Sequence, residues 1–112
     1  MTDRELLELA AKAAGLPHQW CDAWNTMAKP RPDSGFFFNK IWNPLTNDGD
    51  AFRLAVKLRL EPRFLDLDHP AGPPRVTFHN VAGLVELAGN DLMAATRRAI
   101  VRAAAEIGRA EK

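Results

Sequence analysis

Cys21 is the only thiol in a chain of 112 residues. A single cysteine excludes an internal disulfide and fits a reducing compartment. Alone, it reads as a small buried hydrophobe before it reads as a nucleophile. Excess charge is equally scarce, because the formal net charge is +1. The electrostatic footprint of a DNA- or RNA-binding chain is therefore missing, and nucleic acid is a disfavoured partner unless basic residues gather locally. No apolar run is long enough to cross a bilayer, so no membrane partner is expected. The opening Met1-Thr-Asp-Arg-Glu lacks a signal-peptide pattern. The expected location is cytoplasmic.

Signatures of catalysis are missing as well. His18, His69 and His79 are scattered and show no paired metal spacing. No serine stands in a nucleophile elbow, and no glycine-rich phosphate loop follows a strand. Asp48-Gly-Asp50 supplies two carboxylates but lacks the remaining ligands of a calcium loop. Helix capping accounts for both acids more simply. No catalytic residue, metal ligand or cofactor is assigned, and the chain reads as a non-enzyme.

What is present is an ordinary globular composition, 46% hydrophobic and 26% charged. The length suits one domain over residues 1–112, with a modest core to which a homodimer interface would usefully add. Thr2 and Glu5 have capping-box spacing, and Leu6, Leu9, Ala10 and Ala13 recur at helical period. Gly15 and Pro17 supply the stop, which predicts a helix over 3–14 with a small alanine face suited to close packing. Residues 16–29 fit either a helix or a strand. The reading leans towards a hairpin joined to Phe36–Trp42 by the proline-rich loop 29–35. Six consecutive strand positions cannot share one core, so part of the Phe36-Phe-Phe38 run should be exposed and could serve a homodimer.

Pro44 ends that strand, and Thr46 or Asp48 is expected to cap a helix over 48–60. There Ala51, Leu54, Ala55 and Leu58 share a face. Phe52 and Val56 broaden the apolar sector, which predicts a largely buried helix. Phe64–Asp68, Arg75–His79 and Leu84–Ala88 are strand candidates, with a turn at 69–74. A long alanine-rich helix is predicted over 91–109. Short connections imply antiparallel pairing. The fold class is α/β, a compact single-domain layered arrangement in which helices cover a mainly antiparallel sheet.

Arg97 is the most distinctive single residue. Helical angles group Met93, Ile100, Ala104 and Ile107 on one face, and Arg97 falls within that sector. Arg98, Arg102 and Arg109 fall on the opposite, solvent side. An inward arginine needs an acceptor. Either it pairs internally with Asp48 or Asp50, or it clamps a phosphate or carboxylate. Trp42 is a core anchor or a platform for a flat ligand. The candidate ligand-binding set is Trp42 to stack, Asn43 to hydrogen-bond, and Arg53 and Arg97 to meet charge.

Trp42-Asn-Pro-Leu45, Asp48-Gly-Asp50, Arg53-Leu-Ala-Val-Lys-Leu58 and Arg97-Arg-Ala-Ile-Val-Arg-Ala-Ala-Ala-Glu106 resemble the phage ABA sandwich domain family. These are small proteins encoded by phages and prophages, and Glu5–Gly15 is similar to them too. Segments 16–40 and 61–90 match less clearly. The resemblance implies three layers, with a sheet between helices, in the cytoplasm of a host cell. It implies no activity. The first functional reading is a phage accessory protein that sequesters a small nucleotide-derived ligand, such as a host immune signal, without transforming it. The alternative is a module that binds a host or phage protein, favoured by an exposed aromatic face without an enclosed pocket. The third is a regulatory nucleic-acid binder, which needs the arginines of the last helix to line up with other basic residues in one extended patch.

Overall fold

A computed structural model describes residues 1–65, 75–78, 81, 84–87 and 91–111 of the chain. Helix α1 spans Asp3–Ala13, α2 Asp48–Leu58 and α3 Leu92–Ala110. Strands β1 (Gln19–Cys21), β2 (Thr26–Pro30) and β3 (Phe36–Trp42) form one antiparallel sheet in that order. Strands β4 (Pro62–Leu65), β5 (Arg75–Phe78) and β6 (Val85–Leu87) form a second. The mixed α/β class and antiparallel pairing agree with the sequence reading. The strands divide between two sheets, where the resemblance implied one. Residues 66–68, the turn at 69–74, His79 and Ala88 lie outside the described residues.

The helix ends follow local chemistry. The Thr2 hydroxyl accepts from the Glu5 N–H at 3.2 Å and donates to the Glu5 carboxylate at 3.1 Å. At the other end Gly15 adopts φ +69°, and Leu16 N–H reaches the Ala11 carbonyl at 3.0 Å. That left-handed exit satisfies carbonyls the helix leaves open. Helix α2 closes in the same way on a non-glycine residue, with Arg59 at φ 55° and Leu60 N–H on the Ala55 carbonyl at 2.9 Å. Its N-cap is Asn47, not Thr46 or Asp48: the Asn47 side chain accepts from Asp50 N–H at 2.8 Å. Thr46 and Asn47 both donate backbone N–H groups to the Asn43 carbonyl. That turn leaves Asn47 extended at the helix mouth and puts Asp48 inside the first turn.

The ambiguous stretch 16–29 holds β1 and most of β2, joined by a tight turn at residues 22–25 where Asn25 takes φ 52°. The lean towards a hairpin was right, although β2 rather than the whole segment pairs with β3. The β2–β3 register shifts between Ala28 and Pro30. Proline has no N–H to give a ladder, so an irregularity there is expected. Phe37, Phe38 and Ile41 are exposed along β3, as the length of the aromatic run required.

Helices α1 and α3 meet on a seam of small residues. Ala10, Ala11, Ala14, Ala99, Ala103, Ala104 and Ala105 are all buried. Gly108 lies where a Cβ would stand 2.0 Å from the Leu9 carbonyl oxygen, so the backbones touch there. Strand β5 turns Val76 and Phe78 into the core. Strand β6 does the reverse, exposing Val85 and Leu87 and turning Glu86 towards α3. Arg98 and Arg102 explain this inversion. Glu86 pairs with Arg102 and lies 4.0 Å from Arg98, while Arg102 also donates to the Val85 carbonyl at 2.9 Å. These arginines fasten a strand instead of facing open solvent. Cys21 is a free, buried thiol.

Candidate functional site: an apolar groove between two helices

Helix α2 buries Ala51, Leu54 and Ala55. At about 100° per residue, Phe52 and Val56 stand roughly a quarter-turn away from the Ala51–Ala55 line. They are 68% and 60% exposed, and Met93 on α3 is 58% exposed. The sequence reading placed all three in buried sectors. The correction has a simple cause: an apolar arc wider than one neighbour can cover leaves its flank in water. The flanks of α2 and α3 face a common groove of about 490 Å³. Ala51, Phe52, Ala55 and Val56 line one side, Met93, Thr96, Arg97 and Ile100 the other, and Leu60 and Pro62 lie at one end. Its walls are mostly carbon, with Asp48, Arg59 and Glu61 also in the lining.

Arg97 sits in the wall of this groove. Its side chain is 19% exposed, against 42% for Arg98 and 38% for Arg102, as helical geometry predicted. Arg97 Nη1 binds Asp48 Oδ1 at 2.7 Å, and Nε donates to the Leu45 carbonyl at 2.9 Å. The guanidinium therefore docks the β3–α2 turn onto α3, while the aliphatic stem contributes to the groove. Of the two sequence alternatives for Arg97, the internal ion pair is the one formed.

No protein-family model, curated protein or solved structure matches the chain.

The other sequence-nominated residues surround the same turn. Trp42 is 7% exposed and packs in the core, its ring 6.1 Å from that of His18. It occupies the anchor position. Asn43 accepts from Leu45 N–H through its side chain at 3.1 Å, and its own N–H donates to Asp50 Oδ2 at 3.0 Å. Arg53 Nη2 meets Asp50 Oδ1 at 2.7 Å but remains 70% exposed. The four residues are brought together, yet three of them hold the turn by internal contacts. Arg53 alone presents most of its side chain to solvent. Asp48 and Asp50 are engaged by arginines and by Asn43 N–H, and among the described residues no group of three or more potential ligands could hold a metal ion.

The arginines of α3 do not form a free basic patch. Arg97 pairs with Asp48, Arg98 with Asp3, Arg102 with Glu86 and Arg109 with Glu106.

His18 is the one histidine within the described residues, and its environment gives a pH dependence. Burial, then the nearby Lys29 ammonium, lowers its pKa from 6.5, against the opposing pull of the Lys40 backbone and the Asp50 carboxylate. Its Nδ1 is buried without a hydrogen-bond partner. The folded state thus binds a proton less readily than the unfolded state. The stability contributed by neutral His18 is complete above 6.5 and declines as pH falls from there through the depressed folded value. Urea midpoints compared at about pH 7.5 and about pH 5.5 should fall less for His18→Gln than for the parent protein. An unchanged difference would assign the acid sensitivity to other groups.

Proposed function

We propose that the protein is a non-catalytic interaction module whose α2–α3 groove receives an amphipathic helix of another protein. The observation that carries this reading is the exposed apolar rim of the groove. Phe52 and Val56 stand four residues apart on α2 and Met93 faces them from α3, all three exposed, with the buried Ile100 in the floor. Such a rim suits a third helix packed ridge into groove. Arg97 adds carbon to that floor without adding an unpaired charge, because Asp48 and Leu45 hold its head. The phage or prophage setting rests on the sequence blocks that resemble the ABA sandwich family, and the partner would then be a host or phage protein.

The nucleotide-sponge reading loses support from the same residues. Trp42 offers no open face, and Arg97 is occupied; Arg53 is what remains for a phosphate.

The test places a photo-crosslinking residue at Phe52, Val56 or Met93, and at Lys12 and Arg109 as controls. Groove positions should crosslink to one common segment of a partner and the controls should not. Phe52→Glu should weaken binding to that partner by about thirtyfold, the scale of an aromatic hot spot. Because Phe52 is exposed, its folding stability should stay within about 0.5 kcal/mol of the parent. Equal crosslinking from the controls, or full binding by Phe52→Glu, would remove the groove from consideration. Heat release of an intact nucleotide from the purified protein would restore the sponge.

A further inference from the structure

We propose that, until another protein takes it, the groove is filled by α2 of a second copy of this chain, packed antiparallel about a two-fold axis. This inference rests on the reading of the groove as a helix-receiving site and names its occupant. Asp48, Ala51, Phe52, Ala55, Val56 and Arg59 line the groove from α2. Their spacing of three and four residues makes one stripe along the helix. That stripe is complementary to itself when reversed. A two-fold axis level with Arg53 and Leu54 brings Phe52 over Ala55 of the second copy, Val56 over its Ala51, and Asp48 beside its Arg59. Phe52 and Val56 are exposed, whereas Ala51 and Ala55 are buried in the groove floor. Bulk therefore meets a low floor, and symmetry makes each contact occur twice.

The charges of the lining fit the same arrangement. Asp48 and Arg97 stand together at one end of the groove, Arg59 and Glu61 at the other. Each end carries both signs, so a helix charged with a single sign would meet like charge at either end. A reversed copy sets the Asp48 end against the Arg59 end, and acid faces base twice. Asp48 remains 63% exposed although it pairs with Arg97, and Arg59 and Glu61 are exposed. Helix α2 has 11 residues. Three turns on each side place the buried area near the lower limit for a specific complex, about 1,200 Å² in all. The dimer is accordingly weak, and a tighter partner displaces the second copy by mass action. Strand β3 is the rival surface, with Phe37, Phe38 and Ile41 exposed at a sheet edge. Its ladder shifts register opposite Ala28–Pro30, and it carries an exposed Lys40. Both features blunt pairing along an edge.

Sedimentation equilibrium of the full chain, from about 1 μM to about 1 mM, should show reversible dimers with Kd on the order of 10–100 μM. Phe52→Glu should weaken association by about thirtyfold. Asp48→Lys and Arg59→Glu should each weaken it by about tenfold. An equimolar mixture of those two variants should recover the affinity of the parent, because the exchanged charges meet at both contacts. Melting curves establish that each variant is folded; should Asp48→Lys lose its fold, Phe52→Glu and Arg59→Glu still decide. A monomer throughout, or a dimer that Phe38→Glu dissolves and Phe52→Glu leaves intact, would overturn the inference. A mixture no tighter than its components would overturn the antiparallel placement. The proposed function fails separately. A monomer whose groove positions crosslink to another protein loses the self-pairing and keeps that reading. A dimer whose groove positions crosslink only to a second copy keeps the self-pairing and loses that reading.

Discussion

Gly108→Ala is expected to destabilise the protein by about 3 kcal/mol, although alanine is the better helix former by about 1 kcal/mol. The new methyl would stand 2.0 Å from the Leu9 carbonyl oxygen and 2.9 Å from its carbon. Both atoms belong to the backbone of α1, so no rotamer change can make room. The two helices must separate along a seam whose alanines are already buried. Every gap so opened loses dispersion contacts that small side chains cannot reach across to restore. The thermal midpoint should drop by about 10 °C or more. Gly15→Ala is the matched control. Its glycine also has a special role, but nothing lies within 4 Å of its Cβ position, so the cost is only that of φ +69°. That is about 1 kcal/mol. If Gly108→Ala melts at or above the parent, the helices are not held at that separation by packing.

The same comparison explains what the sequence could disclose. Ends of helices were legible where neighbouring residues decide them: Thr2 with Glu5, and Gly15. Each acts through bonds within its own turn. At α2 three candidate caps, Thr46, Asn47 and Asp48, follow in succession. The choice depends on how the Asn43 carbonyl organises the preceding turn, which is a three-dimensional fact. Residues 16–29 carried both periods because Trp20 lies on β1, Trp24 in the connecting turn and Met27 on β2. The Asn25 bend, with its positive φ, was the available signal. Gly108 drew no attention because a glycine near a helix end reads as a stop, whereas here it is a contact.

The candidate site was legible in part. Arg97 was identified from helical angles alone, and its low exposure followed. The groove was not, because hydrophobicity does not say whether a neighbour exists. Phe52 and Val56 have the composition of core residues. Their one distinguishing mark is position: the centre of the α2 face is already filled by Ala51 and Ala55, so the larger residues stand on its flank. Bulky apolar residues beside an alanine-filled face are a signal of unpartnered surface that composition and period together can supply. Glu86 is the converse case. A glutamate in an apolar strand looks like the exposed position, until two arginines on a distant helix make it the inward one.

Arg97→Ala is expected to cost about 2 kcal/mol, and the partition of that loss tests how the turn is held. The Asp48 side chain is 63% exposed, so water screens the ion pair and its share should be below about 1 kcal/mol. The bond from Nε to the Leu45 carbonyl is charge-assisted and partly buried, which puts it at about 1.5 kcal/mol or more. Removing the guanidinium leaves that carbonyl without its donor, whereas removing the Asp48 charge leaves the donor in place. Asp48→Asn should therefore be much the milder substitution, and the double-mutant coupling should be small. Arg97→Lys keeps the charge but cannot offer two donors in the same fork, so it should fall between the parent and alanine. Arg97→Met isolates the groove from the turn. It preserves the carbon wall, so partner binding should persist while stability falls by nearly as much as in Arg97→Ala. Denaturant titration and partner affinity together decide the matter. Were Asp48→Asn to cost as much as Arg97→Ala, the ion pair would be the tether; were Arg97→Met to lose the partner without losing stability, the guanidinium would be a binding group after all.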